Sequence, residues 1–248
     1  MINILFIVEG EKQDPALMEH LLETYIGERD LEYQMSSYGT CIYDLYDKVF
    51  KDNDDEEDID LLLTLKSREK DEDKKKIFDK DYTDIVLIFD LDPHDGRYDK
   101  EKIRKMQRYF NDTTDKGKLY INYPMVEAFK HTETKNRVKE SFKEIKANVS
   151  DLKNYKQRVI DEGRYLKYPS YTKDTCDKII IRNIKKGRYI IGKNYDDDIT
   201  EKEYLDMDLM SILNKQIEMI EKDNSVFVLC TCAFFIADFA FGFINTKI

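Results

Sequence analysis

Apolar runs alternate with amphipathic stretches through the first half of the chain. Four segments have the length and side-chain pattern of strands, at residues 2–8, 31–37, 85–89 and 118–123. Apolar residues at helical spacing predict helices between them, at residues 15–26, 40–50 and 100–110. This alternation predicts an α/β fold with a mostly parallel sheet and helices on both faces. Asp14 precedes Pro15 and is expected to be the N-cap of the first helix.

The pattern changes after residue 130, so we divide the chain into a domain at 1–130 and a mainly helical extension at 131–248 that packs on the sheet. Residues 134–162 and 201–221 are expected to be helical, whereas residues 178–192 fit either a helix or a strand. Residues 226–243 are apolar over 18 positions but contain Asp238, which favours a buried core element over a membrane span. Residues 51–60 form an acidic run typical of a solvated loop.

Composition limits the function classes. The 248 residues are 37% charged with a net charge of −10, whereas a nonspecific nucleic-acid binder is usually basic. Contact with a polyanion would therefore need a local basic patch, a metal bridge or a partner. Two segments supply candidates, namely Lys102, Arg104 and Lys105 in one, and Lys185, Lys186 and Arg188 in the other. The four cysteines lack metal-site spacing, and Met1 leads directly into a strand pattern, so we expect a cytoplasmic protein without a signal peptide.

Acidic residues follow two of the predicted strands. Glu9 comes directly after the first strand, and Asp90 and Asp92 come directly after the strand at 85–89. Ligands of open α/β sheets bind beyond the carboxyl ends of the strands, so adjacent strands would bring these three carboxylates together there. Clustered carboxylates repel each other unless a cation neutralises them, and oxygen ligands suit Mg²⁺ or Mn²⁺. The sequence therefore predicts a divalent-cation site formed by Glu9, Asp90 and Asp92.

The order and strand context of these acids resemble the Toprim family, the metal-binding fold of topoisomerases, bacterial primases and several small nucleases. The resemblance rests on Phe6-Ile7-Val8-Glu9-Gly10-Glu11 and on Ile88-Phe89-Asp90-Leu91-Asp92, and it covers about residues 1–130. Two segments are most similar to the defence-associated Toprim nucleases of bacteria, of the RloB, OLD and PARIS AriB types. They are Val8-Glu9-Gly10-Glu11-Lys12 and the later Tyr123-Pro124-Met125-Val126-Glu127. Topoisomerases and primases carry a further acid or glycine after the Asp-x-Asp, where this chain has Pro93, His94 and Asp95.

The resemblance implies a Mg²⁺-dependent endonuclease that hydrolyses phosphodiesters of RNA, such as tRNA, or of DNA. Asp90 and Asp92 would hold the metal, and Glu9 would complete its ligand set or act as general base. Glu11, Asp95 and Glu127 are candidate accessory acids, Lys12 a phosphate contact and His94 a proton shuttle. The resemblance also implies a role as an effector of anti-phage defence with an ATPase or sensor partner. A homodimer is compatible with it.

Two other interpretations remain open at the level of sequence. Phe89-Asp90-Leu91-Asp92 looks like the first motif of haloacid-dehalogenase phosphatases, with Asp90 as nucleophile and Asp92 as acid/base. That family leaves Glu9 without a role and requires Thr or Val where His94 stands. The third interpretation is a non-catalytic effector subunit whose carboxylates have lost their function.

Overall fold

The computed structural model describes residues 2–27, 31–51, 59–114, 116–135 and 141–247. Its centre is a five-stranded sheet in the order β2-β1-β3-β5-β4. The strands are β1 Ile2–Val8, β2 Leu31–Ser37, β3 Asp84–Asp90, β4 Asn111–Asp112 and β5 Gly117–Asn122. All neighbouring pairs are parallel except β4 with β5. The mostly parallel α/β sheet predicted from the sequence is thus confirmed.

Helices cover both faces of the sheet, because side chains of successive strand residues point to opposite sides. The helices around the sheet are α1 Gln13–Tyr25, α2 Ile42–Phe50, α3 Leu61–Arg68, α4 Glu72–Lys75, α5 Lys100–Tyr109, α8 Lys173–Ile190 and α11 Phe234–Ala240. On the face of Phe6, its ring contacts Phe235 in α11 with centroids 4.9 Å apart, and α1 and α8 pack beside α11. On the face of Ile7, α2 packs against α3 and α5.

The second half adds more helices and a small two-stranded antiparallel sheet. The strands of that sheet are β6 Lys146–Asn148 and β7 Ser225–Phe227. The remaining α-helices are α6 Ala128–His131, α7 Tyr155–Glu162, α9 Glu201–Leu205 and α10 Leu209–Asp223. Short 3₁₀ segments occupy Lys76–Asp79, Phe142–Glu144, Val149–Asn154, Tyr168–Ser170 and Phe241–Phe243.

Three predictions about individual segments are wrong. Among the described residues of 134–162, only α7 is an α-helix, because β6 pairs with a strand from the far C-terminal region. The helix predicted over 201–221 breaks at Asp208, whose carboxylate accepts hydrogen bonds from the backbone N–H groups of Met210 and Ser211 and caps α10. The first helix begins at Gln13, so Asp14 lies inside its first turn and is not the N-cap.

The C-terminal apolar segment completes the core, as predicted. β7 and α11 are largely buried. Residues 226, 228–230 and 232–236 are almost inaccessible to solvent, whereas Phe227 is partly exposed. Within the described ranges, no helix combines the length and apolar character needed to cross a membrane. Of the acidic run at 51–60, residues 52–58 lie outside the part of the chain that the structure describes.

Candidate functional site

The sheet brings acidic residues from distant parts of the sequence to one edge. β1 and β3 are neighbours with Val8 opposite Ile88, so Glu9 and Asp90 leave the sheet side by side. The Glu9 carboxylate accepts a hydrogen bond from the backbone N–H of Asp90, with 3.1 Å between Oε2 and N. On the next strand, Asn122 lies opposite Asp90, and its Nδ2 is 3.4 Å from Asp90 Oδ1.

Asp92 is held in a tight turn two residues further on. Its backbone φ is +43°, in the left-handed region that aspartate tolerates better than most residues. The Tyr43 hydroxyl, from α2, donates to the backbone oxygen of Leu91 at 2.6 Å and lies 3.3 Å from that of Asp92. These contacts of the Tyr43 hydroxyl fix the turn. The His94 ring lies near the Asp92 carboxylate, with 4.0 Å between Nδ1 and Oδ1.

A further carboxylate, which the sequence analysis assigned to a helix cap, belongs to the same region. Asp14 is 5% exposed, and its Oδ1 has no hydrogen-bond partner among the described residues. Its Oδ2 lies against the backbone at Gly10, where a Cβ would come within 2.5 Å of it. Glu127, just before α6, is also buried, and its carboxylate pairs with Lys156 Nζ at 2.9 Å.

These acids hold their protons more tightly than isolated carboxyls. Burial, then the charge of Asp92, raises the pKa of Glu9 from 4.5 to about 8, although the hydrogen bond from Asp90 opposes the shift. Burial raises the pKa of Asp14 to about 6. Burial, followed by repulsion from Glu9, places the pKa of Asp90 well above its usual value, and burial also raises that of Asp92. The cluster therefore needs protons or a cation to be stable near neutral pH.

The donor chemistry suits a hard divalent cation, since Glu9, Asp14, Asp90 and Asp92 offer only carboxylate oxygens. Asp14 also leaves one buried oxygen without a partner in the described part of the chain. Among the described residues, however, no group of three or more His, Cys, Asp or Glu side chains is already arranged to hold a metal ion. A bound cation would have to draw the carboxylates together from the positions they occupy here.

The accessory candidates divide between the cluster and its surroundings. The Asp95 carboxylate is bound by Arg97, with 2.9 Å between Oδ2 and Nη2, and this contact lowers its pKa to about 2. His94 is exposed beside Asp92. Glu11 and Lys12 are exposed directly before α1, with Glu11 facing the end of β2. Asp95 therefore forms an ion pair with Arg97, and Glu127 forms one with Lys156.

Two residues predicted to contact nucleic acid are wrongly assigned. Lys186 is fully buried, and its Nζ donates to the backbone oxygens of Phe142 and Ile145, the latter at 2.8 Å. Arg188 is 8% exposed, with Nη2 3.5 Å from Glu203 Oε1. Neither side chain presents a cation to solvent, because α8 is covered on most of its circumference.

The other basic candidates remain accessible. Lys185 is half-buried, as are Lys102, Arg104 and Lys105 on α5. Lys102 Nζ lies 3.3 Å from Asp47, and Arg104 Nη1 lies 2.5 Å from Glu101. These ion pairs reduce the net positive charge that α5 presents.

Asp14 and Asn122 are the site residues that sequence reasoning missed. Asp14 was interpreted as a cap because it precedes a proline, but its spacing of five residues from Glu9 also places it at the same sheet edge. Asn122 ends β5 and is fully buried, with its Oδ1 accepting from the backbone N–H of Cys232 at 3.3 Å. A polar residue ending an apolar strand, as at Asp90, was the available signal for Asn122.

Comparison of the chain with family models, with curated proteins and with solved structures found no match.

Proposed function

We propose that this protein is a Toprim-like, Mg²⁺-dependent endonuclease that hydrolyses phosphodiesters of RNA or DNA. The observation that carries the proposal is the contact of Glu9 with the start of the Asp90-x-Asp92 turn, across adjacent strands, in a cluster of carboxyls with raised pKa values. Such perturbed groups in one location are typical of functional sites. A purely structural cluster would gain stability by replacing them with neutral side chains.

Asp90 and Asp92 would hold Mg²⁺ or Mn²⁺, with Glu9 or Asp14 as further oxygen donors. When bound, the ion would polarise the scissile phosphate and stabilise the charge that develops on it. In its ionised form Glu9 suits a general base, because a pKa raised to about 8 gives that carboxylate a high affinity for a proton from water. Asn122 fixes the side chain of Asp90 from the neighbouring strand.

The biological setting belongs to the same proposal. The resemblance to defence-associated Toprim nucleases supports an effector of anti-phage immunity that acts with an ATPase or sensor protein. The net charge of −10 supports dependence on such a partner, because the chain as a whole repels nucleic acid. Lys102, Arg104 and Lys105 remain candidates for contact with the substrate backbone.

A phosphatase with Asp90 as nucleophile is less well supported. The resemblance to haloacid-dehalogenase phosphatases requires Thr or Val at the position where this chain has His94. The phosphatase interpretation also gives no function to Glu9, whose carboxylate directly contacts Asp90.

The proposal is tested by incubating the purified protein with labelled tRNA and with supercoiled plasmid, in Mg²⁺, in Mn²⁺ and in EDTA. We expect cleavage of one substrate that requires the metal and is lost in Glu9→Gln and Asp90→Asn. Glu19→Gln, an exposed glutamate on α1, is the matched control and should cleave normally. Cleavage that persists in both site variants, or that does not require a metal, would refute the proposal.

A further inference from the structure

A pocket of about 390 Å³ adjoins the carboxylate cluster on the Ile7 face of the sheet. It lies where β2 ends, between that strand and helices α3 and α4, and its lining includes Ser36, Ser37 and Gly39. The backbone N–H of Gly39 donates to the backbone oxygen of Glu9 at 2.9 Å, so the pocket lining directly contacts the proposed general base. No part of the function proposed above uses this pocket.

Arg68 is the fixed cation of the pocket. Its two terminal nitrogens donate to the backbone oxygen of Tyr38 and to Thr40 Oγ1, each at 2.8 Å. Its guanidinium carbon lies 3.9 Å from the centroid of the Tyr38 ring. Within the described ranges Arg68 has no carboxylate partner, and only two of its roughly five N–H donors are used. A preorganised guanidinium without a counterion is suited to an incoming phosphate.

The other charges of the pocket also favour an anion. Lys70 and Lys74 line it and are exposed, and neither has an ion pair with a described residue. Of the two acids in the lining, Glu69 accepts hydrogen bonds from the backbone N–H groups of Lys70 and Asp71, at 2.7 and 2.9 Å. The second acid, Glu11, lies on the side of Gly39, toward the carboxylate cluster. The pocket is therefore locally cationic in an acidic protein.

We propose that this pocket binds a backbone phosphate of the polynucleotide, next to the phosphodiester that the carboxylate cluster cleaves. The assignment rests on the proposed nuclease function and specifies how the strand is positioned. Arg68 anchors the phosphate through its free N–H groups, and Lys70 and Lys74 add attraction from the rim. The strand then runs from the pocket across Gly39 to the Glu9–Asp90 edge.

Fluorescence anisotropy of a labelled single-stranded oligonucleotide in EDTA tests the assignment. Every variant is made in the Glu9→Gln background, which is expected not to cleave the oligonucleotide. Arg68→Gln should weaken binding about tenfold and reduce the salt slope by roughly 0.7, the value for one lost phosphate contact on a single strand. Lys70→Gln with Lys74→Gln should also reduce the slope, and these exposed changes leave the core intact. Lys178→Gln, on α8 at the opposite face, removes one charge and should leave binding unchanged.

Affinity and salt slope that match those of Lys178→Gln in both the Arg68 and the double-lysine variants would overturn the assignment. The assignment would also be overturned if Arg68→Gln weakened the binding of a nucleoside monophosphate but left the binding of the oligonucleotide unchanged. Cleavage assays separate this inference from the proposed function. Normal metal-dependent cleavage with Arg68-independent binding refutes only the pocket, whereas Arg68-dependent binding without any cleavage by the wild type refutes only the nuclease.

Discussion

The raised pKa of Glu9 makes the stability of this protein depend on pH in a definite direction. A carboxyl whose pKa is raised in the folded state stabilises the fold fully below its unfolded pKa, and that stabilisation is lost as pH rises through the folded value. For Glu9 the window extends from 4.5 to about 8. We therefore expect the free energy of unfolding, measured without metal, to fall across this window.

Glu9→Gln is the informative perturbation, because the amide oxygen can still accept the hydrogen bond from Asp90 N–H but the side chain cannot ionise. Each pH unit between the two pKa values corresponds to about 1.4 kcal/mol, which sets an upper limit of roughly 5 kcal/mol for ionising Glu9 in the fold. Solvent access and protons shared with neighbouring acids reduce the expected difference to about 2 kcal/mol. The variant should therefore be more stable than the wild type by about this amount at high pH.

Urea unfolding at about pH 5.5 and about pH 9, each in EDTA and in excess Mg²⁺, measures the effect. The two proteins should be similar at the lower pH and differ at the higher pH, with Glu9→Gln the more stable in EDTA. Mg²⁺ should stabilise the wild type at high pH, because it neutralises the ionised cluster, and should stabilise the variant less. If the wild type and the variant have parallel stability profiles between these pH values, the electrostatic reasoning about Glu9 is wrong.

Three further substitutions test separate parts of the structure. Gly10→Ala places a Cβ within 2.5 Å of Asp14 Oδ2. Because this carboxylate can rotate away, we expect the free energy of unfolding in urea to fall by at most about 1 kcal/mol, whereas Mn²⁺ binding measured by calorimetry should weaken. Gly242→Ala, where an added Cβ meets no neighbouring atom, is the control and should change neither quantity. Lys186→Met should change stability but leave the salt slope of oligonucleotide binding unaltered, since its ammonium is buried; a reduced slope would contradict the buried position. Gln216→Leu leaves two backbone groups of β7 without their partners and should lower the free energy of unfolding by about 2–4 kcal/mol, whereas an unchanged midpoint in urea would show that β7 does not depend on this residue.

The central strands β1, β3 and β5 could be predicted from the sequence because they are largely buried on both faces. β1 and β3 are runs of five or more apolar residues that end abruptly at acids, and this pattern sets both the strand ends and the position of the site. The parallel α/β arrangement does not fix which strands are neighbours, and β2 lies between β1 and β3 in the sequence. The meeting of Glu9 with Asp90 was therefore predicted only on the condition that β1 and β3 are adjacent, which the strand order β2-β1-β3 fulfils.

The second half was less predictable because its elements are short and depend on distant partners. β6 reads Lys-Ala-Asn, which has no strand pattern, and it forms only because β7 pairs with it from nearly eighty residues away. The basic residues near Lys186 suggested a solvated face, yet α8 also carries isoleucines at 179–181 and 184, on more than one side. A helix that is apolar on most sides is buried, and its lysine is buried with it.

Direct titration of Mn²⁺ into the protein near pH 7.5, followed by calorimetry, tests the central claim that the carboxylates at this sheet edge share a divalent ion. We predict saturable uptake by the wild type, with proton release because the cluster must ionise, and at least tenfold weaker uptake by Asp90→Asn and Glu9→Gln. Glu19→Gln should behave as the wild type does. A wild-type protein that takes up no Mn²⁺, or site variants that bind it as tightly as the wild type, would contradict the account.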